Sequence, residues 1–375
     1  MLKATFPHIG NSYIPIRTLL TELGLEPVIP PPISGRTVAL GTKLAPEFAC
    51  YPLKINLGNY IEAIEAGAEL ILMAGGVGPC RFGYYGEQQR EVLREAGYSI
   101  DFLVLEAPKT HPWELWDKIK HYFPRHRPHD IINAIHLAWL KADALDRFDR
   151  LANQIRPLEQ TFGATTNLQA DFYRALDQVY LVHDIQSTLK NYLDALNGIH
   201  LKLGITITPL KILLLGEIYM VLEPKVNFEI ERTLGEMGVT VERTIYFTEW
   251  VRDHLLFSII HPNWNKNLKL MARPYLRNFV GGHGLETIAL TVKAGVNRYH
   301  GVIELAPFTC MPEIIAMQVL PRVSRELEIP VLSIIIDEHS AEAGIDTRLE
   351  AFIDMLHYQS QKRNGGKPLE VISRY

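Results

Sequence analysis

Pro46-Glu47-Phe48-Ala49-Cys50-Tyr51-Pro52 puts a cysteine after an apparent strand and turn, with a proline two residues further on. Two other stretches repeat the arrangement. Gly78-Pro79-Cys80-Arg81-Phe82-Gly83 follows the apolar run Leu70 to Ala74, and Phe308-Thr309-Cys310-Met311-Pro312-Glu313 follows Val302 to Pro307. These are the only three cysteines in 375 residues. All three are expected at strand-to-helix switches, the places where open parallel sheets bind their ligands.

Outward from these stretches, strand and helix patterns alternate. Leu2–Phe6, Pro27–Pro30, Leu70–Ala74 and Ile100–Leu105 read as strands. Ser12–Leu23, Leu53–Ala66 and Tyr84–Ala96 read as helices, ending at Gly24, Gly67 and Gly97. After Lys211 the pattern returns. Strands are expected at Ile212–Leu215, Val239–Thr244, Gly301–Leu305 and Val331–Ile336, with helices at Val226–Met237, Gly284–Ala294, Pro312–Leu327 and Ala343–His357. Strands separated by helices of this length imply right-handed crossovers and parallel sheets. Between about 111 and 206 only helical spacing recurs, through Ile131, Ile135, Leu181, Ile185 and Leu189. The expected fold is α/β: two Rossmann-like parallel-sheet domains, 1–110 and 207–360, flanking a helical insertion at 111–206. A cleft lies between the domains, and 361–375 is a tail.

Composition excludes several functions. Apolar residues make up 47% and charged residues 21%, as in a globular protein. With 38 Lys and Arg against 42 acidic residues, the net charge is −4, which argues against nucleic acid or an anionic membrane as a partner. No apolar run approaches the roughly 20 residues of a membrane span. The start lacks the apolar core of a signal peptide, and an odd cysteine count argues against a disulfide framework. The expected location is the cytoplasm. Histidines crowd the helical insertion at His111, His121, His126, His129 and His136. The spacing of His126 and His129 is a weak ligand signal, interrupted by Pro128 and lacking a third partner.

Cysteines are often buried as small hydrophobes, but such residues lie inside strands or on helix faces. Here each is placed where a helix N-terminus would stabilise a thiolate. Structural zinc would call for a local Cys-x-x-Cys pair, which is missing. A catalytic cysteine would leave the other two unexplained. Three soft thiolates from distant loops suit an iron–sulfur cluster, and a fourth iron lacking a cysteine would be open to another ligand.

The sequence resembles the 2-hydroxyacyl-CoA dehydratase superfamily, and most closely the stand-alone proteins associated with acyl-CoA dehydratase activases. The resemblance rests on Phe6-Pro7-His8-Ile9-Gly10-Asn11, Pro46 to Cys50, Gly75 to Tyr85, Gly216-Glu217-Ile218-Tyr219, Gly282 to Thr287, Leu305 to Glu313, and Asp337 to Gly344. It implies that Cys50, Cys80 and Cys310 hold a 4Fe–4S cluster with an open iron between the Rossmann-like domains. It also implies an ATP-hydrolysing iron–sulfur activator as electron donor, and a homo- or heterodimer with a related subunit. The implied chemistry is a reductase or dehydratase (lyase) component acting on a small-molecule substrate by an oxygen-sensitive reductive or radical dehydration. A non-catalytic electron-transfer or cluster-carrying subunit is the second expectation.

Glu47, His8, His283 and Glu217 lie on strand-end loops as candidates for proton delivery or for the fourth iron. Arg81 is a candidate for offsetting cluster charge, for holding an anionic substrate, or for a surface ion pair. Glu313 is expected to cap its helix. Gly281-Gly282-His283-Gly284 is a weak phosphate-loop match, and with no Gly-x-x-x-x-Gly-Lys-Ser/Thr loop, ATP is expected on the partner.

Overall fold

The computed structural model describes residues 1–75, 80–105, 117–118, 120–124, 126–202, 209–253 and 266–363. His111, the stretch 76–79 of the Cys80 motif, and the tail beyond 363 lie outside them.

The protein is α/β, with two four-stranded sheets, every pairing parallel. The first contains β1 (Lys3–Thr5), β2 (Glu26–Pro27), β3 (Leu70–Ala74) and β4 (Asp101–Leu105), in the order β2-β1-β3-β4. The second contains β5 (Lys211–Gly216), β6 (Thr240–Arg243), β7 (Gly301–Pro307) and β8 (Val331–Ile336), in the order β6-β5-β7-β8. The two orders are the same. In each, the chain leaves the first strand in one direction and later returns to its other side, so the switch points lie between β1 and β3 and between β5 and β7. The near-continuous apolar runs of β3, β5 and β7 follow from burial on both faces.

Helix α1 (Tyr13–Glu22) covers one face of the first sheet. On the other face lie α3 (Tyr51–Glu65) and α4 (Tyr85–Glu95). Helix α3 is buried along nearly its whole length, Tyr51 to Ala63. Its Leu53, Leu57, Tyr60 and Ile61 pack with the first sheet, while Tyr51 and Ile55 join the core of the second. Polar Lys54, Asn56, Asn59 and Glu62 are buried along with its apolar residues, because α3 is shared by both domains.

The 111–206 region is helical where described: α5 (Pro128–Ile155), α6 (Ala164–Gln178) and α7 (Val182–Asn197), with an isolated bridge between Glu159 and Leu201. Phe148, Phe172, Leu176, Ile185 and Leu196 form its core, which also takes Ile14 from α1. Pro128, expected to disfavour a helix, instead starts one, because the first helical residue needs no N–H.

Elsewhere the second domain adds α8 (Ile218–Leu222), α9 (Ile230–Glu236), α10 (Phe247–Val251), α11 (Lys266–Ala272), α12 (Gly284–Val296), α13 (Met311–Leu327) and α14 (Glu342–Arg363). The expected helix from Val226 begins only at Ile230. Phe228 and Glu229 take left-handed backbone conformations that close the preceding turn.

The element before Cys50 also differs from expectation. Cys50 follows a helix, α2 (Gly35–Leu44), and a turn rather than a strand. The Ser34 hydroxyl accepts from the Thr37 N–H and starts this helix in a capping box. Its closest approach to α3 is at Thr37, Gly41 and Gly58, with Leu40 and Leu44 only partly buried beside it.

Candidate functional site

Four loops leave the carboxyl ends of the four central strands: His8 after β1, the Cys80 turn after β3, Glu217 after β5 and Cys310 after β7. The α2–α3 turn adds Cys50. All three cysteines are N-caps: Cys50 of α3, Cys80 of the 3-10 turn Arg81–Tyr84, and Cys310 of α13.

Arg81 ties these turns together. Its guanidinium donates to the Phe48 carbonyl (2.7 Å), two residues before Cys50, and to the Thr309 carbonyl (2.5 Å), one residue before Cys310. It also reaches the Thr309 hydroxyl (3.2 Å), which faces the Phe48 carbonyl at 3.3 Å. Thr309 has φ +65°, a left-handed conformation costly for a residue with a side chain. The fork of Arg81 holds it there. Arg81 thus clamps the backbone of two cysteine turns.

The thiols share one electrostatic environment. Burial pushes Cys50 up to about 11 and pushes Cys80 and Cys310 up as well. The charge of Glu217 raises all three further. The helix-start N–H groups of Leu53, Phe82 and Glu313 pull the other way, as does Arg81 for Cys50 and Cys80. The Cys50 thiol is engaged by the Tyr85 hydroxyl. Glu217 caps α8 by accepting from the Met220 N–H (3.1 Å), and burial lifts its carboxyl to about 7. Gly216 makes that placement possible. A Cβ there would lie 2.0 Å from the Leu305 carbonyl oxygen of β7, and its φ is +132°.

The other candidates lie at differing distances from this centre. The Gly281–Gly284 loop packs under the Cys310 helix: a Cβ on Gly284 would meet the Pro312 carbonyl oxygen at 2.4 Å, and one on Gly282 would come within 3.8 Å of Cys80 Sγ. These glycines allow close helix approach, which explains them without a phosphate. His283 caps α12 and lies 4.0 Å from Glu286. His8 Nδ1 bonds Glu223 Oε2 (2.9 Å), which also accepts from the Gly10 N–H (2.5 Å), while the Tyr219 hydroxyl donates to the His8 carbonyl (2.8 Å). His8 thereby joins the two domains. Glu47 is exposed in the Cys50 turn. His126 packs beside Gly24 and Phe123, whereas His129 is exposed and pairs with Asn133. They form no ligand pair.

Glu313 does not cap its helix as expected. Its side chain is fully buried and accepts from the Thr287 hydroxyl (2.9 Å). Sequence reasoning also missed Tyr85, although it stands in the quoted Cys80 motif, and Glu223, which no spacing distinguishes. A cavity of about 370 Å³ bordered by Arg90, Phe102, Lys118 and His121 includes none of the cysteines.

The donor set fits an iron–sulfur cluster in kind: three soft thiols on three helix starts, each feeling the charge of Glu217. It is convergent rather than closed. Among the described residues, no group of three or more His, Cys, Asp and Glu side chains is gathered as a metal-binding set. No protein-family model matches the chain, and no curated protein matches it. Among the described residues, no helix is long and apolar enough to cross a membrane.

Proposed function

We propose that this chain is a cytoplasmic iron–sulfur protein of the 2-hydroxyacyl-CoA dehydratase type, in which Cys50, Cys80 and Cys310 hold a 4Fe–4S cluster with an open iron. The observation that carries this reading is the convergence of three cysteine-capped helix starts, with Arg81 bonded to the backbone of two cysteine turns while standing in the third. When bound, such a cluster supplies one-electron chemistry and a Lewis-acidic iron. The chain's own residues supply the rest. The helix-start N–H groups stabilise thiolate charge, and Glu217 offers a carboxyl at the ends of β5 and β7 for a proton or for the open iron.

The electrons come, in this reading, from a separate ATP-hydrolysing activator, and the reaction is a reductive or radical dehydration of a small molecule. Single replacement of Cys50, Cys80 or Cys310 by Ala is expected to lower iron content after anaerobic reconstitution. A variant that keeps full iron would remove that residue from the ligand set.

A second reading, a cluster-carrying electron-transfer subunit, is favoured by one feature. Phe48, Tyr84 and Phe308, neighbours of the three cysteines in sequence, are 76%, 68% and 52% exposed. Exposed aromatic rings beside a redox centre suit protein docking. The two readings separate on substrate. Turnover of an added 2-hydroxyacyl thioester by the reduced protein supports the first, and electron transfer without turnover supports the second.

A further inference from the structure

The cavity of about 370 Å³ lies apart from the cysteines, along β4, the outer strand of the first sheet. Its volume falls within the roughly 300–1,000 Å³ of small-molecule sites, at the low end. It is walled by α4, through Glu87 and Arg90, and by the segment 117–122. Phe102 and Val104 form its floor. The Phe102 ring is buried under the Arg90 guanidinium, which lies 5.5 Å from the ring centroid.

The rim carries both signs of charge. Arg90 is already engaged, donating to both carboxylate oxygens of Glu87 (3.0 and 2.7 Å). Asp117, Lys118 and His121 are exposed beside it. Among the described residues, Asp117 and Lys118 have no ion-pair partner. The formal charges of Glu87, Arg90, Asp117 and Lys118 cancel, so the lining favours neither a plain anion nor a plain cation. Tyr122 completes the rim. Burial, and then the charge of Asp101, raise its hydroxyl, which stays a donor at neutral pH.

The backbone offers the same pair of signs. Successive strand residues point to opposite faces, so a cavity lined by Phe102, Leu103 and Val104 together lies at the strand edge. β4 pairs with β3 on one side, and among the described residues no strand pairs with its other side. An edge of this kind presents both N–H and C=O groups.

We propose that this cavity binds a free α-amino acid with an apolar or aromatic side chain. The ligand carboxylate lies against Lys118 and His121, its ammonium against Asp117 and a β4 carbonyl, and its side chain on Phe102 and Val104. Such a ligand carries both charges one carbon apart on an apolar body, and so matches rim, edge and floor together. A simple carboxylic acid leaves Asp117 without a cation, and a simple amine leaves Lys118 without an anion. No bond is made or broken, and the site does not rest on the function proposed above.

Isothermal titration calorimetry of the full chain as purified tests this with L-phenylalanine, L-leucine, phenethylamine, 3-phenylpropionate and glycine. Phenylalanine or leucine should bind saturably at one site per chain. The last three probes, which lack the carboxylate, the ammonium and the side chain in turn, should bind at least tenfold more weakly. Lys118→Ala and Asp117→Asn, both at exposed positions and melting as the wild type does, should each weaken amino-acid binding on the order of fivefold. Binding of neither phenylalanine nor leucine overturns the site. Phenethylamine or phenylpropionate binding as tightly as phenylalanine overturns recognition of both charges, and equal binding of glycine overturns the apolar floor. Affinity indifferent to both variants overturns the location.

Discussion

Arg81 is where a single side chain does most to shape the site. Its removal frees the Phe48 and Thr309 carbonyls and leaves the strained Thr309 turn unsupported. Because the guanidinium is exposed, Arg81→Ala should cost only about 1 kcal/mol of global stability, while iron uptake falls several-fold. Arg81→Lys, which cannot fork to two carbonyls, should rescue little of that uptake. Equal iron in all three proteins would show that the clamp is dispensable.

Asp146 offers a test away from the cysteines. Burial raises its carboxyl from 3.8 to about 6, outweighing hydrogen bonds from the Thr248 N–H (2.9 Å) and hydroxyl (2.5 Å). The folded state therefore holds this proton more tightly than the unfolded chain does. The stability it contributes is full below about pH 4 and is lost as pH rises through about 6. In Asp146→Asn that slope should vanish, so that the variant gains on the order of 3 kcal/mol over wild type between pH 4 and 7. Denaturant titrations at several pH values measure the difference, and a constant gap between the two proteins would refute the assignment.

At the scale of elements, the central strands set the geometry. β5 can end beside β7 and release Glu217 only because residue 216 has no Cβ. Gly216→Ala should destabilise by about 3 kcal/mol or more, combining a backbone clash with an unfavourable φ. Urea melts with an unchanged midpoint would contradict this.

These strands were legible because burial on both faces leaves uninterrupted apolar runs: Val331–Ile336 coincides with its strand, and β3 with Leu70–Ala74. Helix α2 was not legible. Its fully buried residues are Thr37 and Gly41, which carry no apolar period, and without it Cys50 was expected after a strand that does not exist. The cysteine positions survived the error because a helix start is marked by local chemistry, with proline just inside it. The Arg81 clamp and the His8–Glu223 bond join residues from 33 to 228 positions apart, which no local pattern reveals.

Across the whole molecule, the two sheets repeat one strand order and meet over α3. Among the contacts that fasten them are His8 to Glu223, Arg81 to Thr309, and Lys54 to Glu338. In the last, Lys54 is buried and Glu338 half-buried, so losing the carboxylate strands the lysine charge. Lys54→Met should cost about 3 kcal/mol, and the further change Glu338→Gln should restore much of it. Simple additivity of the two changes would refute a direct coupling.

In the proposed reading, two such domains present their strand ends to one place, and the three cysteines serve one shared centre rather than three separate cores. The most direct test is anaerobic reconstitution of the full chain with iron and sulfide, read by metal analysis and by EPR after reduction. The account predicts about four irons and four sulfides per chain, with a paramagnetic signal that is lost when any one of Cys50, Cys80 and Cys310 is replaced. A chain that stays colourless and iron-free, folded as before, would contradict it.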